Sequence, residues 1–301
     1  MSVAATGRVP GRVAAVRRGW LAAHRFLLLR RLAQLVFLAV FLTGPWFGLW
    51  IAKGTLATSL TFDVLPLTDP LVLLQSLAAR HWPSATALIG AAIVLAAYLL
   101  VGGRAYCAWV CPINPVTDLA YWLRTRLGLA KGWQPSRATR FWLLGAVLVV
   151  SAVAGRIAWE AVNPITILQR GLLFGIGLGW IAVVAVFLFD LLVARHGWCG
   201  HLCPVGAFYG LLGKAAVLRV SAAGRARCDD CMDCYAVCPE PHVISPALRG
   251  TAATSPVILS GDCSNCGRCA DVCPEDVFRF ALRGDRREHA PAVPADVRKV
   301  A

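Results

Sequence analysis

The sequence predicts an α-helical polytopic membrane protein with four transmembrane helices, followed by a small cysteine-rich α+β domain. Two observations carry this. Four apolar blocks, each close to the length that crosses a bilayer, lie between residues 32 and 194. All twelve cysteines fall in repeated, closely spaced motifs. Composition agrees: 58% of the 301 residues are hydrophobic, 15% are charged and the mean hydropathy is +0.63. A soluble domain carries about 25% charged residues.

A spanning helix needs about 20 mostly apolar residues, because hydrocarbon offers no partner to an unpaired peptide group. The expected spans are 32–52, 84–103, 141–159 and 172–194. The first two carry no charge, the third holds Arg156 and the fourth Asp190. Arg17-Arg18 and Arg30-Arg31 precede the first span as in an export signal. No small-residue cleavage site follows and three more spans do, so the reading is a retained helix. The stretch 17–31 alternates basic and apolar residues, which suits an interfacial helix on lipid. Asp69-Pro70 reads as an N-cap with proline at the first helical position. It starts a short apolar helix expected to lie along the outer membrane surface.

Lysine and arginine in the flanking segments orient the spans. Segments 1–31, 104–140 and 195–227 carry 7, 6 and 5, a total of 18; segments 53–83 and 156–171 carry 2 each, a total of 4. Both termini are thus expected in the cytoplasm of a bacterial inner-membrane protein. The net charge of +14 is largely this asymmetry, so no nucleic-acid partner is predicted.

Cys228, Cys231, Cys234 and Cys238 form C-x2-C-x2-C-x3-C followed by Pro239; Cys263, Cys266, Cys269 and Cys273 repeat it before Pro274. This is the ligand run of bacterial two-cluster ferredoxins, in which the fourth cysteine ligates the other cluster. One 4Fe–4S cluster is therefore expected on Cys228, Cys231, Cys234 and Cys273, and a second on Cys238, Cys263, Cys266 and Cys269. Zinc sites pair their ligands differently, and disulfides are disfavoured on the cytoplasmic side. The acids between Cys228 and Asp276 outnumber the arginines eight to two, which makes this domain locally acidic.

The other four cysteines form aromatic-C-x3-C-P twice: Tyr106-Cys107 to Cys111-Pro112, and Trp198-Cys199 to Cys203-Pro204. Each follows an even-numbered span, so the membrane part reads as two span-pair repeats. Cysteines at i and i+4 share a helix face. Cys107, Cys111, Cys199 and Cys203 are expected to converge on a third metal or redox site at the membrane boundary, with Arg104 and Arg195 favouring thiolates. The plainer alternative is that each proline only ends its helix. None of the six histidines lies inside a span and no C-x2-C-H occurs, so no haem is expected.

With these motifs, Gly44-Pro45-Trp46-Phe47-Gly48 and Pro66-Leu67-Thr68-Asp69-Pro70, the chain resembles the NapH/MauN family of membrane ferredoxin-type proteins. The resemblance implies an electron-transfer subunit of a quinol dehydrogenase, rather than a stand-alone enzyme. It passes electrons from the quinone pool toward periplasmic nitrate reductase, with a periplasmic ferredoxin subunit and a tetrahaem c-type cytochrome as partners. The alternative is a redox maturation factor for a periplasmic reductase. Carboxylates that could take quinol protons are scarce on the outer side. A quinol is therefore expected near Phe62, Asp63 and Asp69, although Asp69 equally reads as a helix cap. The resulting division is a basic segment 1–31, a four-helix domain 32–220, a ferredoxin-like α+β domain 221–284 and a disordered tail 285–301.

Overall fold

Glycine and proline cut the apolar blocks into elements that hydropathy alone runs together. The computed structural model describes residues 9–129, 132–175, 177–250 and 254–288; most of the expected tail, 289–301, lies outside them. The first block is the helix Arg25–Phe47, which begins before the expected span. It ends where Gly48, at φ 72°, turns its N–H back to the Gly44 carbonyl and leads Leu49 to that of Thr43. It is the one described helix long and apolar enough to cross a membrane by length and composition. Helix Ala85–Val101 starts at the Ser84 cap, and Thr139–Ala154 ends at Gly155 with φ 62°. The fourth block is not one helix. Leu172 belongs to Pro164–Phe174, Gly175 at φ 105° breaks the chain, and Trp180–Leu188 then continues into a wide turn at Phe189–Val193.

Two half-helices organise the interior. Pro70–Ala78 and Pro164–Phe174 each begin with proline behind a side-chain cap. The Asp69 carboxylate accepts from the Leu71 N–H at 2.9 Å, and the Asn163 side-chain oxygen accepts from Ile165 at 3.1 Å. Their sequences repeat in register, Asp69-Pro70 to Leu74-Gln75 against Asn163-Pro164 to Leu168-Gln169. Gln75 and Gln169 are wholly buried, and each ties its half-helix to the other repeat. Gln75 Oε1 accepts from the Trp159 N–H at 3.0 Å, and Gln169 Oε1 from the Leu56 N–H at 2.8 Å. The short helix after Asp69 therefore buries one face in the interior and leaves Leu74 and Leu77 exposed on the other. Leu71 and Ile165 pack in one core with Cys111 and Cys203.

Strands β1 (Ala52–Gly54), β2 (Thr58–Thr61) and β3 (Leu65–Thr68) form an antiparallel sheet. β3 lies on helix Ala85–Val101 beside Gly90, where a Cβ would come within 3.1 Å of the Thr68 backbone. In the C-terminal domain, β4 (Leu218–Ser221) pairs with β5 (Arg279–Leu282) and brackets both cysteine runs. A second core holds Val220, Ile244, Ile258, Val272 and Val277.

The N-terminal segment is not left to lipid. The Gly11 N–H donates to Asp233 at 2.8 Å, Arg18 donates to the Asp271 carbonyl at 2.7 Å, and the N–H groups of Phe26 and Leu27 donate to the Asp271 carboxylate at 3.0 Å each. Arg17 pairs with Glu275. The arginine-rich arm and the acidic domain are thus partners within the chain.

A buried polar seam joins the two domains. Arg104 donates to Glu240 at 3.1 Å, to the Asp262 carbonyl at 3.0 Å and to the Cys199 carbonyl at 3.0 Å. Arg140 donates to the Gly200 carbonyl and pairs with Asp262. Burial works to raise the Asp262 carboxyl, but the His242 hydrogen bond and the charges of Arg140 and Arg104 outweigh it and hold it well below the usual carboxylate range. Its contribution is present above the unfolded value near 4 and is lost only as pH falls through the depressed one. Breaking a buried pair by removing one partner costs about 3–5 kcal/mol. Glu240→Ala is expected to lower the thermal midpoint in detergent and to open the junction to limited proteolysis, whereas Asp63→Ala, at an exposed turn, changes neither.

Candidate functional site

The two C-terminal cysteine runs fold alike because the same positions take left-handed backbone. Asp230 and Met232 flank Cys231 at φ 55° and 65°; Asn265 and Gly267 flank Cys266 at φ 48° and 73°. Such turns point successive N–H groups into a concavity that suits an anionic centre. Each run then enters a short helix, Asp233–Val237 or Arg268–Val272, and leaves it at an extended fourth cysteine, Cys238 or Cys273. Cys238, Cys263, Cys266 and Cys269 line one cavity, walled by Val220, Val243, Ile244 and Ile258. Cys273 lies instead with Cys228 and Cys234: Cys228 raises the Cys273 thiol and Cys273 raises that of Cys234. The fourth cysteine of each run therefore sits with the other run's first three. Burial and neighbouring sulfurs push the Cys234 thiol up to about 12, and burial carries Cys263 to about 11. Thiols in this state stay protonated until a metal displaces the proton.

Both C-x3-C-P motifs are turns between helices rather than helix faces. Cys107 lies in Ala105–Trp109, while Cys111 follows that helix and Pro112 precedes Ile113–Arg126. Cys199 lies in a wide turn, Trp198–Leu202, and Cys203 caps Pro204–Gly213, its sulfur accepting from the Gly206 N–H at 3.5 Å. Each proline starts a helix, so neither a shared i, i+4 face nor a simple helix exit describes the motifs. The four cysteines converge: Cys107 and Cys203 act on Cys111, and all three act on Cys199. Among the described residues no three His, Cys, Asp or Glu close to single-ion distances. That is equally true of the ferredoxin cysteines, where the expected group is a cluster larger than one ion. Burial pushes all four thiols up, Cys203 to about 12, and outweighs the lowering by Arg104 at Cys107. Arg195 is engaged elsewhere, donating to the carbonyls of Ala236 and Cys238.

The residues expected around a quinol are not brought together. Phe62 and Asp63 form an exposed left-handed turn, with Asp63 paired to Lys53 at 2.6 Å. Asp69 points into the interior, where Tyr209 donates to its carboxylate at 3.3 Å. Tyr209 stacks on Tyr106 with ring centroids 5.1 Å apart and meets Tyr98 edge-on at 5.0 Å.

Known proteins match this sequence. A family model described as "4Fe-4S binding domain" matches residues 84–130 and 172–222, the stretches that contain the two C-x3-C-P motifs. A "4Fe-4S dicluster domain" matches residues 227–277. The ferredoxin-type protein MauN of Methylorubrum extorquens is 54% identical over 94% of this chain and 97% of its own length. MauN of Paracoccus denitrificans is 56% identical over 90% and 95%, and the ferredoxin-type protein NapH of Escherichia coli 52% over 92% and 96%. The chain belongs to the NapH/MauN family of ferredoxin-type proteins. No solved structure matches it at a significant level. The chain carries 4Fe–4S binding domains and is an iron–sulfur electron-transport protein. The cluster supplies a one-electron carrier when bound; the chain supplies thiolates, a dry cavity and N–H groups around it.

The tyrosine trio and the second half-helix start, at Asn163-Pro164, were missed in the sequence, although one signal pointed to the latter. The N-cap–proline–x3–Leu–Gln frame recurs at Asp69 and Asn163, at near-equal distances before Cys107 and Cys199. The crossover pairing predicts an iron-content pattern. Cys238→Ala with Cys266→Ala should lose no more iron than either change alone, whereas Cys238→Ala with Cys231→Ala should lose the iron of both centres. Equal losses in the two double variants would contradict the pairing.

Proposed function

We propose that this chain is the membrane electron-transfer subunit of a quinol dehydrogenase, with four spans and the ferredoxin domain on the cytoplasmic side. Two clusters would sit on Cys228, Cys231, Cys234, Cys273 and on Cys238, Cys263, Cys266, Cys269. A third redox centre would sit on Cys107, Cys111, Cys199 and Cys203. The observation that carries this reading is the seam. Arg104 touches the carbonyl of Cys199, the carboxylate two residues past Cys238 and the carbonyl just before Cys263. Trp109 donates to the Asn265 carbonyl at 3.1 Å. The C-x3-C-P turns thus sit directly under one ferredoxin cluster site, and the other is held by the N-terminal arm.

Four spans are supported by large apolar side chains left exposed on the shorter helices, among them Leu100, Val149, Val153, Leu188 and Leu192. Patches of this kind face lipid or a partner. The described basic residues cluster at the ferredoxin end, which supports the orientation. Identities of 52–56% to NapH and MauN proteins alike leave two systems in which the chain could transfer electrons. One is the periplasmic nitrate reductase implied by the NapH resemblance, reached through a periplasmic ferredoxin and a tetrahaem cytochrome. The other is the methylamine utilization named for the MauN relatives.

In purified protein under anaerobic conditions, a short-chain quinol should bleach the visible iron–sulfur absorption. Cys111→Ser should abolish that bleaching while dithionite still reduces the ferredoxin clusters. Equal bleaching by quinol in wild type and Cys111→Ser would remove the third centre from the path.

A further inference from the structure

The two half-helix starts are a repeat whose caps differ in chemistry, and the Asp69 cap is joined through Tyr209 to the helix that starts at Cys203. Asn163 caps Pro164–Phe174 as a neutral amide, donating to Glu160 and Thr166 at 3.0 and 2.9 Å. Asp69 caps Pro70–Ala78 as a carboxyl group. Its hydrogen bonds come from the Leu71 N–H and the Tyr209 hydroxyl, and among the described residues it forms no ion pair. A cap needs only an oxygen acceptor, and asparagine serves as well as aspartate. Asp69 is half-buried, and a partly desolvated carboxylate without a cation carries a cost that a neutral amide would not, so capping alone does not account for Asp69.

Its surroundings give it a second use. Tyr209 belongs to helix Pro204–Gly213, which starts at Cys203. It stacks on Tyr106, and Tyr106 precedes Cys107 in the chain. The charge of Asp69 reaches Tyr98, Tyr106 and Tyr209, and the sulfur of Cys107 reaches the same three. A short aromatic path thus runs from Asp69 to the four cysteines. The titratable groups facing Asp69 are these three tyrosines and, further off, Glu160. Helix Thr139–Ala154, packed against the half-helix, carries Arg140 at its far end, where Glu240 and Asp262 hold it. Burial pushes the Asp69 carboxyl up to about 6, against the lowering by its two hydrogen bonds.

The geometry points to Asp69, acting through Tyr209, as the proton acceptor that balances charge at the four-cysteine centre. Asp69 takes one proton from water as one electron arrives from the quinol or ferredoxin side, and returns it as the electron leaves. Negative charge added near an unpaired carboxylate in a low-dielectric site raises its proton affinity, so uptake is built into the arrangement. This rests on the proposed reading that the four cysteines hold a redox centre.

The test is a redox titration of the purified full-length protein at several pH values, followed by EPR, with Asp69→Asn and Tyr209→Phe. Asp69→Asn keeps the side-chain oxygen that caps the Leu71 N–H, as Asn163 does for Ile165, and unchanged ferredoxin EPR signals report that the variant is folded. In wild type, reduction of the centre should become about tenfold less favourable per pH unit above about pH 6, as one coupled proton requires. Asp69→Asn should flatten this dependence, with the ferredoxin signals unchanged. Tyr209→Phe removes a hydrogen bond to the charged form, so it should move the onset to higher pH without abolishing the slope. A redox-difference infrared band of a protonated carboxyl should be present in wild type and missing in Asp69→Asn. A wild-type slope in Asp69→Asn overturns the proposal, as does an equal change in the ferredoxin signals. If Cys111→Ser leaves every EPR signal in place, the four-cysteine centre itself falls and takes this inference with it; a lost signal with an unaltered Asp69→Asn slope defeats only the role of Asp69.

Discussion

The buried contact of Arg104 with Glu240 and the Asp262 carbonyl is the constraint on which the arrangement depends. An arginine this deeply buried is costly unless its donors are met. Its two terminal nitrogens are met from the C-terminal domain and from the second cysteine turn, so both must be in place together. Arg140 repeats the logic from another helix, holding Glu240, Asp262 and the Gly200 carbonyl. One seam therefore fixes the distance between two sets of cysteines far apart in sequence, and fixed short distances are what electron transfer needs.

A second principle is the exchange between repeats. Gln75 and Gln169 occupy the same place in matching half-helices and bond into each other's repeat. Both half-helix starts are thereby drawn to the core that contains Cys111 and Cys203. Helix N-termini carry partial positive charge, and half-helices that break inside a membrane domain commonly present it to a functional centre. The repeats differ where one cap is charged, and this turns a symmetric scaffold into one with a direction.

The cysteine pattern was legible because cluster chemistry demands fixed spacing. The fold around the eight ferredoxin cysteines follows from residues whose left-handed turns could be placed by analogy between the runs, Asp230 with Asn265 and Met232 with Gly267. The spans were read as uniform because hydropathy averages over Gly48, Gly155 and Gly175, whose positive φ ends or breaks each helix. The second half-helix, 11 residues long, was invisible to a window about 20 residues long, whereas the first was read from its Asp-Pro start but not as part of the interior. The N-terminal arm was assigned to lipid because its charge pattern suits either an anionic membrane or an acidic domain. Only the fold shows Asp271 and Asp233 in position to receive it. Asp69 was noticed as a cap and as a carboxylate, yet its partner Tyr209 lies 140 residues away, beyond any local signal.

In the proposed electron path the four-cysteine turns lie against the cluster site of Cys238, Cys263, Cys266 and Cys269, and farther from that of Cys228, Cys231, Cys234 and Cys273. Pulsed EPR on partly reduced full-length protein measures this through magnetic coupling between centres, each identified by the cysteine variant that removes it. The Cys111-dependent signal should couple more strongly to the Cys266-dependent one than to the Cys231-dependent one. Coupling that is strongest to the Cys231-dependent signal, or equal to both, would contradict it.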